Sequence, residues 1–382
     1  MRNFTQNALY SKINKIFVGL FMVNSTLATP SSNNVSAALR TRLERVFKSY
    51  LFRSLAQALF TIWLVLTVTF VLIRMMPGNP VDIFVDRLVS EQGITREEAL
   101  SQAAAMFSVD FNAPIHEQYF QYMANLLRGD LGVSISSTNT PVIEIIARFL
   151  PWTLFSVGLG LLISFILGLL IGMAMAYWRN SIFDVAVSTI ASFLSSIPNY
   201  LLPIILIYLI GVQWKLLPVA RMRGTYDPRL TPGFTPEFIA SVLMYAILPV
   251  LTYVLSQIGH WALSMKNSTL SVLGEEYVNA AHARGLPQRR ILVAYVGRNA
   301  SLPLFTQLAL SIGSVVGGAI IIELFFMYQG IGIRLFEAIG ARDYPLMQGI
   351  FLMITLSTVL ANLLADLLYS QLDPRVRLGT GK

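Results

Sequence analysis

The amino-acid sequence predicts an all-α polytopic membrane protein with six transmembrane helices. Of its 382 residues, 55% are hydrophobic and only 13% are charged, whereas soluble domains carry about 25% charged residues. Apolar runs of about 20 residues, the length that crosses a bilayer as a helix, recur six times. The predicted spans are TM1 at 55–73, TM2 at 152–177, TM3 at 184–212, TM4 at 238–262, TM5 at 304–327 and TM6 at 346–369.

The distribution of charge predicts how these spans are oriented. If the N-terminus is cytoplasmic, the inside segments hold 17 Lys and Arg against five acidic residues, and the outside segments hold 11 against 13. Cytoplasmic loops of membrane proteins carry such an excess of Lys and Arg. We therefore expect both termini in the cytoplasm. The net charge of +8 is accounted for by membrane orientation, and it does not indicate a nucleic-acid partner.

Two elements precede the first span. Residues 1–38 contain basic residues followed by a short apolar run, a pattern also found in signal peptides. Cleavage would place a basic segment outside, so we expect an uncleaved extension, with cleavage as the alternative. Over 39–54, apolar residues recur at helical spacing opposite Arg40, Arg42, Arg45 and Lys48. This pattern predicts a basic amphipathic helix on an anionic lipid surface.

The remaining connections differ in character. Residues 74–151 predict several short amphipathic helices on the outside, a segment too small for an independent enzyme domain. Residues 213–237 are rich in Pro and Gly and predict an irregular outside loop. Residues 263–303 form an inside loop, and residues 370–382 form a cytoplasmic tail.

The composition excludes several kinds of chemistry. The chain has no cysteine, and its three histidines are far apart, which argues against disulfides, thiolate chemistry and a metal site. It has no G-x-x-x-x-G-K-[ST] phosphate-binding loop and no recognisable catalytic triad or carboxylate pair. We therefore expect a non-enzymatic chain without a cofactor of its own.

The inside loop contains the stretch EEYVNAAHARGLPQRRI, from Glu275 to Ile291. Its first part predicts a helix that ends at Gly285, where a left-handed conformation is needed. Pro287 cannot continue that helix but can begin another. Ala280, Ala281 and Ala283 predict a surface of small side chains that a partner could approach closely. An ordinary cytoplasmic loop is the alternative.

This stretch resembles the EAA loop of ABC-importer permeases, in the form found in the oligopeptide/dipeptide/nickel family. Further motifs of that family follow in its order along residues 48–378. Asn79 stands where the family usually has Asp, and Tyr295 stands where it often has His. The matching residues and segments are Glu276, Val278, Ala281, Ala283, Gly285, Leu286, Arg289, Arg290, Arg298-Asn299-Ala300, Leu302-Pro303, RMMPGNP (74–80), LLRGDLG (126–132), GGAIIIELFF (317–326), YQGIG (328–332), ARDYPLMQG (341–349) and LDPRVR (372–377).

The resemblance implies the B-type subunit of a heterodimeric permease in the inner membrane of a prokaryote. Such importers have a second homologous permease, two ATP-binding subunits that hold ATP and Mg²⁺, and an extracytoplasmic substrate-binding protein. The implied cargo is di- or oligopeptides, with nickel chelates or oligosaccharides as alternatives. A stand-alone channel or secondary transporter is a different class, and it leaves the motifs unexplained.

The resemblance also implies which residues couple transport to ATP hydrolysis. Glu276 would make an ion-pair or capping contact in a groove of the ATPase, the alanines would permit close docking, and Gly285 would set the angle between two helices. The implied coupling residues are Glu275, Glu276, Tyr277, Val278, Ala280, Ala281, Ala283, Arg284, Gly285 and Leu286.

Polar residues within spans are costly in lipid and often face a cavity or a partner helix. Glu323 is predicted either to make a buried structural hydrogen bond or ion pair, or to belong to the gate. Gly317 and Gly318 allow close helix crossing, and contact with the second permease is favoured over packing within the chain. The candidates for the pathway or gate are Ser196, Asn199, Gln257, Glu323 and Asn362.

Overall fold

The structure, a computed structural model, describes residues 50–76, 80–106, 113–137, 140–318 and 320–372. The predicted extension over 1–38, the predicted amphipathic helix up to residue 49, and the tail from residue 373 lie outside the described residues. The chain divides after Gln57 into two compact units. Residues 50–57, the described part of the first unit, begin the first helix. The packing reported below is that of the second unit.

The described residues are almost entirely helical. Irregular connections and two π-helical segments, Ile207–Gln213 and Ile291–Gly297, separate the α-helices. The α-helices are α1 Tyr50–Arg74, α2 Pro80–Gln92, α3 Arg96–Met106, α4 Ile115–Leu127, α5 Val142–Tyr177, α6 Ile182–Ser196, α7 Leu201–Leu206, α8 Pro236–Leu273, α9 Glu276–Ala283, α10 Gln288–Arg290, α11 Arg298–Gly318, α12 Ile320–Phe326, α13 Ile331–Ala341 and α14 Tyr344–Leu372.

Within the described residues, four helices are long and apolar enough to cross a membrane. They are Ser54–Arg74 in α1, α5, α8 and Tyr344–Ala365 in α14. A fifth span is possible if α6 and the helical stretch Leu201–Gln213 count as one. The predicted fifth span, 304–327, falls on α11 and α12. The polytopic helical architecture is confirmed, and the count of six spans stays a prediction.

The predicted third span, 184–212, is not one straight helix. α6 ends at Ser196, and the stretch Leu201–Gln213 leaves it at an angle of 109°. Ile197 ends α6 in an extended conformation, with φ −73° and ψ 125°. It precedes Pro198, and a residue before proline is disfavoured in the helical region. The proline therefore breaks this span in its middle.

α5 and α8 pack closely because glycines of α5 lie against α8. A Cβ atom at Gly160 would fall 2.9 Å from the Tyr253 Cβ, and one at Gly168 would overlap Trp261 and approach the Ala262 backbone. Gly172 lies against the backbone of Ala262 in the same way. Small residues let membrane helices approach at backbone distance, where van der Waals packing is strongest.

Glycines also allow close contact in two other helix pairs. Gly259 of α8 lies against the Ala191 carbonyl oxygen and the Ser195 hydroxyl of α6, where a Cβ atom would not fit. Gly313 of α11 lies against Thr358 and Ala361 of α14, and the Thr358 hydroxyl donates to the Gly313 carbonyl oxygen at 3.0 Å. α8 is thus in close contact with both α5 and α6.

The connection from α1 to α5 is helical, as predicted. α2 and α3 enclose a small cluster of Phe84, Val85, Leu88 and Ala99. The hydroxyl groups of Tyr119 in α4 and Thr67 in α1 are 2.8 Å apart, within hydrogen-bond distance. Within its described residues, the connection thus has a small core of its own and a contact with α1.

The glycine contacts predict that Gly168→Ala destabilises the protein by about 1–3 kcal/mol, the usual cost of overpacking. Gly158 lies in the same helix, but a Cβ atom there meets nothing within 4 Å. Gly158→Ala should therefore be neutral or slightly stabilising. Thermal unfolding of the two purified variants tests this, and equal melting temperatures would contradict the proposed close crossing.

Candidate functional site

The stretch from Glu275 to Ile291 forms a short helix, a tight turn and the start of a second helix. α9 runs from Glu276 to Ala283 with Glu275 as its N-cap and Arg284 as its C-cap. Gly285 follows at φ +71°. Its N–H donates to the His282 carbonyl oxygen at 2.9 Å, and the Leu286 N–H donates to the Ala281 carbonyl oxygen at 3.3 Å. This pair of bonds defines a Schellman motif, and it confirms the predicted left-handed turn.

The second helix begins where the proline predicts. Pro287 is the N-cap of α10, and its carbonyl oxygen accepts from the Arg290 N–H at 2.9 Å and the Ile291 N–H at 3.1 Å. The chain continues through the π-helical segment Ile291–Gly297 directly into α11. The turn at Gly285 is therefore joined to a helix of 21 residues on its C-terminal side.

One face of α9 is buried against the protein's own chain. Val278 and Ala281 form a cluster with Ile291 and Val296, called the α9 cluster below, and Leu286 packs against it. Ala281 is only 3% exposed. The predicted surface of Ala280, Ala281 and Ala283 is therefore wrong for Ala281. Positions 280 and 283 share a face of a 3.6-residue helix, whereas position 281 lies about 100° away.

The other face of α9 is exposed. Ala280 and Ala283 lie there beside both N-terminal glutamates and Arg284. Within the described part of the chain, neither Glu275, Glu276 nor Arg284 forms an ion pair. The face thus combines small side chains with charges of both signs. Of the predicted coupling residues, the exposed ones are Glu275, Glu276, Tyr277, Ala280, Ala283, Arg284 and Gly285.

Hydrogen bonds connect this segment to the neighbouring helices. The Asn299 amide donates to the Tyr277 hydroxyl at 2.8 Å and to the Tyr295 carbonyl oxygen at 3.0 Å. The Ser268 hydroxyl of α8 donates to the Ala300 carbonyl oxygen of α11 at 2.7 Å. α9 is therefore held to α11 by a hydrogen bond and to the end of α8 by the packing of Val272 and Leu273 on the α9 cluster, while the Ser268 bond joins α8 to α11.

Glu323 caps a helix inside the protein. It is 1% exposed, and its carboxylate accepts from the N–H groups of Gly332 at 2.8 Å and Ile333 at 3.1 Å, in the first turn of α13. The Thr153 hydroxyl of α5 donates to the same carboxylate at 2.5 Å and accepts from the Ile331 N–H at 2.8 Å. The first N–H groups of a helix need such partners, so the structure supports the structural alternative for Glu323.

The other pathway candidates are not joined to Glu323. Ser196 and Asn199 are exposed at the 109° bend, and the Ser196 hydroxyl donates back to the Ser192 carbonyl oxygen at 2.8 Å. Gln257 of α8 is half-buried, and Asn362 of α14 is exposed. Two of the five candidates thus lie at the bend, and a pathway role for them stays a prediction.

The structure places Gly317 within the chain's own packing. A Cβ atom there would meet the Ile354 side chain of α14 at 3.4 Å. This contact favours packing within the chain over the predicted contact with a second permease. Gly318 is the last residue of α11.

Two polar centres were missed in the sequence. Asp343 is fully buried and caps α14 by accepting from the Leu346 N–H at 3.2 Å, and it also accepts from the Ser134 and Ser136 hydroxyls at 2.5 and 2.7 Å. The second centre is Asp184, which pairs with Lys266.

The sequence does contain local patterns that indicate a helix start at both aspartates. Asp343 directly precedes Tyr-Pro, and Ser181 with Asp184 matches the S-x-x-D capping pattern.

Comparison with known proteins shows what kind of chain this is. Residues 168–378 match the model of the family described as "Binding-protein-dependent transport system inner membrane component". The chain belongs to this family. The matched range begins at Gly168 in the α5–α8 contact and contains all of α9, the Gly285 turn and Glu323. The protein is thus a membrane component of a binding-protein-dependent transport system.

Individual relatives cover most of the chain. The dipeptide transport system permease protein DppB of Escherichia coli K12 is 32% identical over 81% of this chain and 93% of its own length. The di/tripeptide transport system permease protein DppB of Pseudomonas aeruginosa is 32% identical over 86% and 98%. A protein of Brucella suis biovar 1 that is named as a peptide permease is 34% identical over 81% and 92%.

The cap on α13 predicts that Glu323→Ala lowers the free energy of unfolding by about 2–4 kcal/mol, because a buried hydroxyl and two backbone N–H groups lose their acceptor. Glu337 lies in α13 itself, half-exposed and paired with Arg334 at 2.7 Å. Glu337→Ala should cost less than about 1 kcal/mol. Chemical denaturation of both detergent-purified variants measures the difference. A Glu323→Ala variant as stable as Glu337→Ala would show that the cap contributes little.

Proposed function

We propose that this chain is the permease subunit of an ATP-driven importer of di- or oligopeptides. Residues 275–291, called the coupling segment below, would receive the movement of a separate ATP-binding subunit. The observation that carries this proposal is the exposed face of α9 at a defined turn, inside the region that matches the transport family.

The shape of the coupling segment supports a docking role. Ala280 and Ala283 leave room for another surface to approach the helix backbone, and the neighbouring charges can pair across an interface. The left-handed turn at Gly285 sets the angle between α9 and the second helix, α10. A partner that pushes on α9 would thus act on a segment of fixed geometry.

The attachment of α9 supports transmission of that movement. The α9 cluster and the bond from Asn299 tie α9 to α8 and α11, and the bond from Ser268 ties those two helices to each other. Interiors packed in this way transmit displacement, because they have little free volume to absorb it. Force on α9 would therefore reach two long membrane helices.

The assembly that this proposal requires contains further subunits. Because the sequence has no phosphate-binding loop, ATP and Mg²⁺ would be bound by two separate ATPases. A second permease would complete the pathway, and an external binding protein would deliver the cargo. The coupling segment and both termini would then face the cytoplasm, in agreement with the charge asymmetry of the loops.

The peptide cargo is proposed from the relatives, whose names refer to peptides, dipeptides and di/tripeptides.

Copurification of the tagged chain from its native membrane, followed by reconstitution into vesicles, tests the whole proposal. We expect a second permease and ATPases, and ATP-dependent uptake from an isotope-labelled mixture of di- to pentapeptides when the binding protein is added. A complex without peptide uptake would refute the cargo, and a chain that purifies alone would refute the importer.

The turn predicts different outcomes for two substitutions at one position. A Cβ atom at Gly285 meets nothing within 4 Å, so only the backbone conformation is at issue. Valine is strongly disfavoured at φ +71°, whereas asparagine tolerates it. Gly285→Val should lower uptake about 5- to 30-fold, as a penalty of about 1–2 kcal/mol implies, and Gly285→Asn should stay near wild type. Wild-type uptake by Gly285→Val would contradict a coupling role for the turn.

The two faces of α9 predict two different defects. Ala283→Phe should leave the permease folded but abolish copurification of the ATPases, because the side chain fills the exposed face. Ala281→Phe should instead destabilise the permease by about 1–3 kcal/mol, because it overpacks the α9 cluster. Melting temperature and ATPase recovery, measured on the same preparations, separate these effects. ATPases recovered in full with Ala283→Phe would exclude the exposed face as the docking surface.

A further inference from the structure

A buried ion pair joins α6 to α8 near the coupling segment. Lys266 Nζ lies 2.5 Å from Asp184 Oδ1, and the two side chains are only 18% and 8% exposed. The Lys266 ammonium also donates to the Ser188 hydroxyl at 3.0 Å, and Ser188 donates to Asp184 Oδ1 at 3.3 Å. The cation of α8 is thus bound to two positions one turn apart on α6.

Asp184 also holds the turn that precedes α6. Its second carboxylate oxygen accepts from the Asn180 N–H at 3.1 Å, and its own N–H donates to the Ser181 hydroxyl at 3.2 Å, which caps the helix. Asn180 has a positive φ of 61°. Asp184 therefore fixes the turn between α5 and α6, the start of α6 and one point on α8 together.

A second contact between α6 and α8 lies closer to the C-terminal end of α6. There the Gly259 backbone meets the Ala191 carbonyl oxygen and the Ser195 hydroxyl. Two separated points of attachment prevent one helix from rotating against the other about either point. α6 and α8 are therefore held in one orientation from the ion pair to the bend after Ser196.

α8 leads into the coupling segment without a flexible link. It ends at Leu273, and only Gly274 separates it from Glu275, the N-cap of α9. Gly274 is itself in a right-handed helical conformation, and the Glu275 N–H donates to the Val272 carbonyl oxygen at 3.1 Å. Movement of α9 is thus passed to the end of α8.

We propose that Asp184 and Lys266 are positioning residues for transport, whose ion pair makes α6 and α8 move as one body. This inference rests on the proposed function. A displacement of the coupling segment is then carried through α8 and the ion pair to α6. It reaches the 109° bend, where Ser196 and Asn199 are exposed. Without the pair, ATP hydrolysis would continue while less of the movement reached the bend.

Four variants of the reconstituted complex test this inference against a merely structural role. Lys266→Met removes the link, Lys266→Arg keeps it, and Asp184→Asn combined with Lys266→Met removes both charges without leaving one buried alone. Arg229→Met is the control, since the exposed Arg229 side chain pairs at 2.7 Å with Asp227, two positions away in the same connection, and so joins no two helices. Peptide uptake from the labelled mixture and ATP hydrolysis are measured in the same vesicles.

We expect Lys266→Met and the double variant to hydrolyse ATP at near the wild-type rate while importing about tenfold less peptide per ATP, a change within the range of known coupling energies. Lys266→Arg and Arg229→Met should keep the wild-type ratio. If the complex with Lys266→Met does not assemble, the double variant is measured in its place, because removing both buried partners is better tolerated than removing one.

Wild-type peptide uptake per ATP in the double variant would overturn the inference, and so would a parallel loss of uptake and hydrolysis. Failure of the wild-type complex to import any peptide is a separate result. It would refute the proposed cargo and would be seen before any variant is compared.

Discussion

The close approach of α5 and α8 is the contact on which the rest of the structure depends. Lipid tails are as apolar as leucine side chains, so helices in a membrane associate through close van der Waals packing rather than through the hydrophobic effect. Gly168 and Gly172 bring α5 to backbone distance from α8. α8 then contacts α6 at Gly259 and leads directly into α9. The position of the coupling segment is thus set by glycines that lie far from it in the sequence.

Buried polar groups complete this framework where helices begin. The Glu323 carboxylate accepts from N–H groups in the first turn of α13, and that of Asp343 accepts from one in α14. Asp184 lies in the first turn of α6, and its carboxylate accepts from the Asn180 N–H just before that helix. In each case the carboxylate also binds a second element of the chain. Charged groups are retained in an apolar protein at these points because helix N-termini supply N–H groups and a favourable dipole. Each acidic residue thereby fixes both the start of a helix and its neighbour.

Much of the local structure could be predicted from the sequence. The helical class, the connection between α1 and α5, and the turn at Gly285 followed by a helix start at Pro287 all depend on local composition and on residues with restricted backbone geometry. The Gly285 turn was predictable because only glycine adopts that conformation easily. The family followed from several short motifs in one order.

Features that depend on tertiary contact were harder to predict. The burial of Ala281 is set by Ile291 and Val296, which reach it only after the chain has turned back. Pro198 could predict that the third span is broken, but the angle of the bend depends on packing against α8. Thr153, which donates to Glu323, and Lys266, which pairs with Asp184, lie 170 and 82 positions away from them in the sequence, and no local pattern relates these residues.

The hydrogen bonds of Asp343 have a consequence for the order in which contacts form as the chain is synthesised. Ser134 and Asp343 are separated by 209 positions, so the loop that contains Ser134 and Ser136 is synthesised long before its acceptor. Contacts between distant positions form late, because the loop-closure entropy must be overcome before they contribute. Until the ribosome has produced the start of α14, both serines lack this partner. The segment that contains the two serines is thus held by a residue that is synthesised 209 positions later, so a product truncated before Asp343 would lack these bonds.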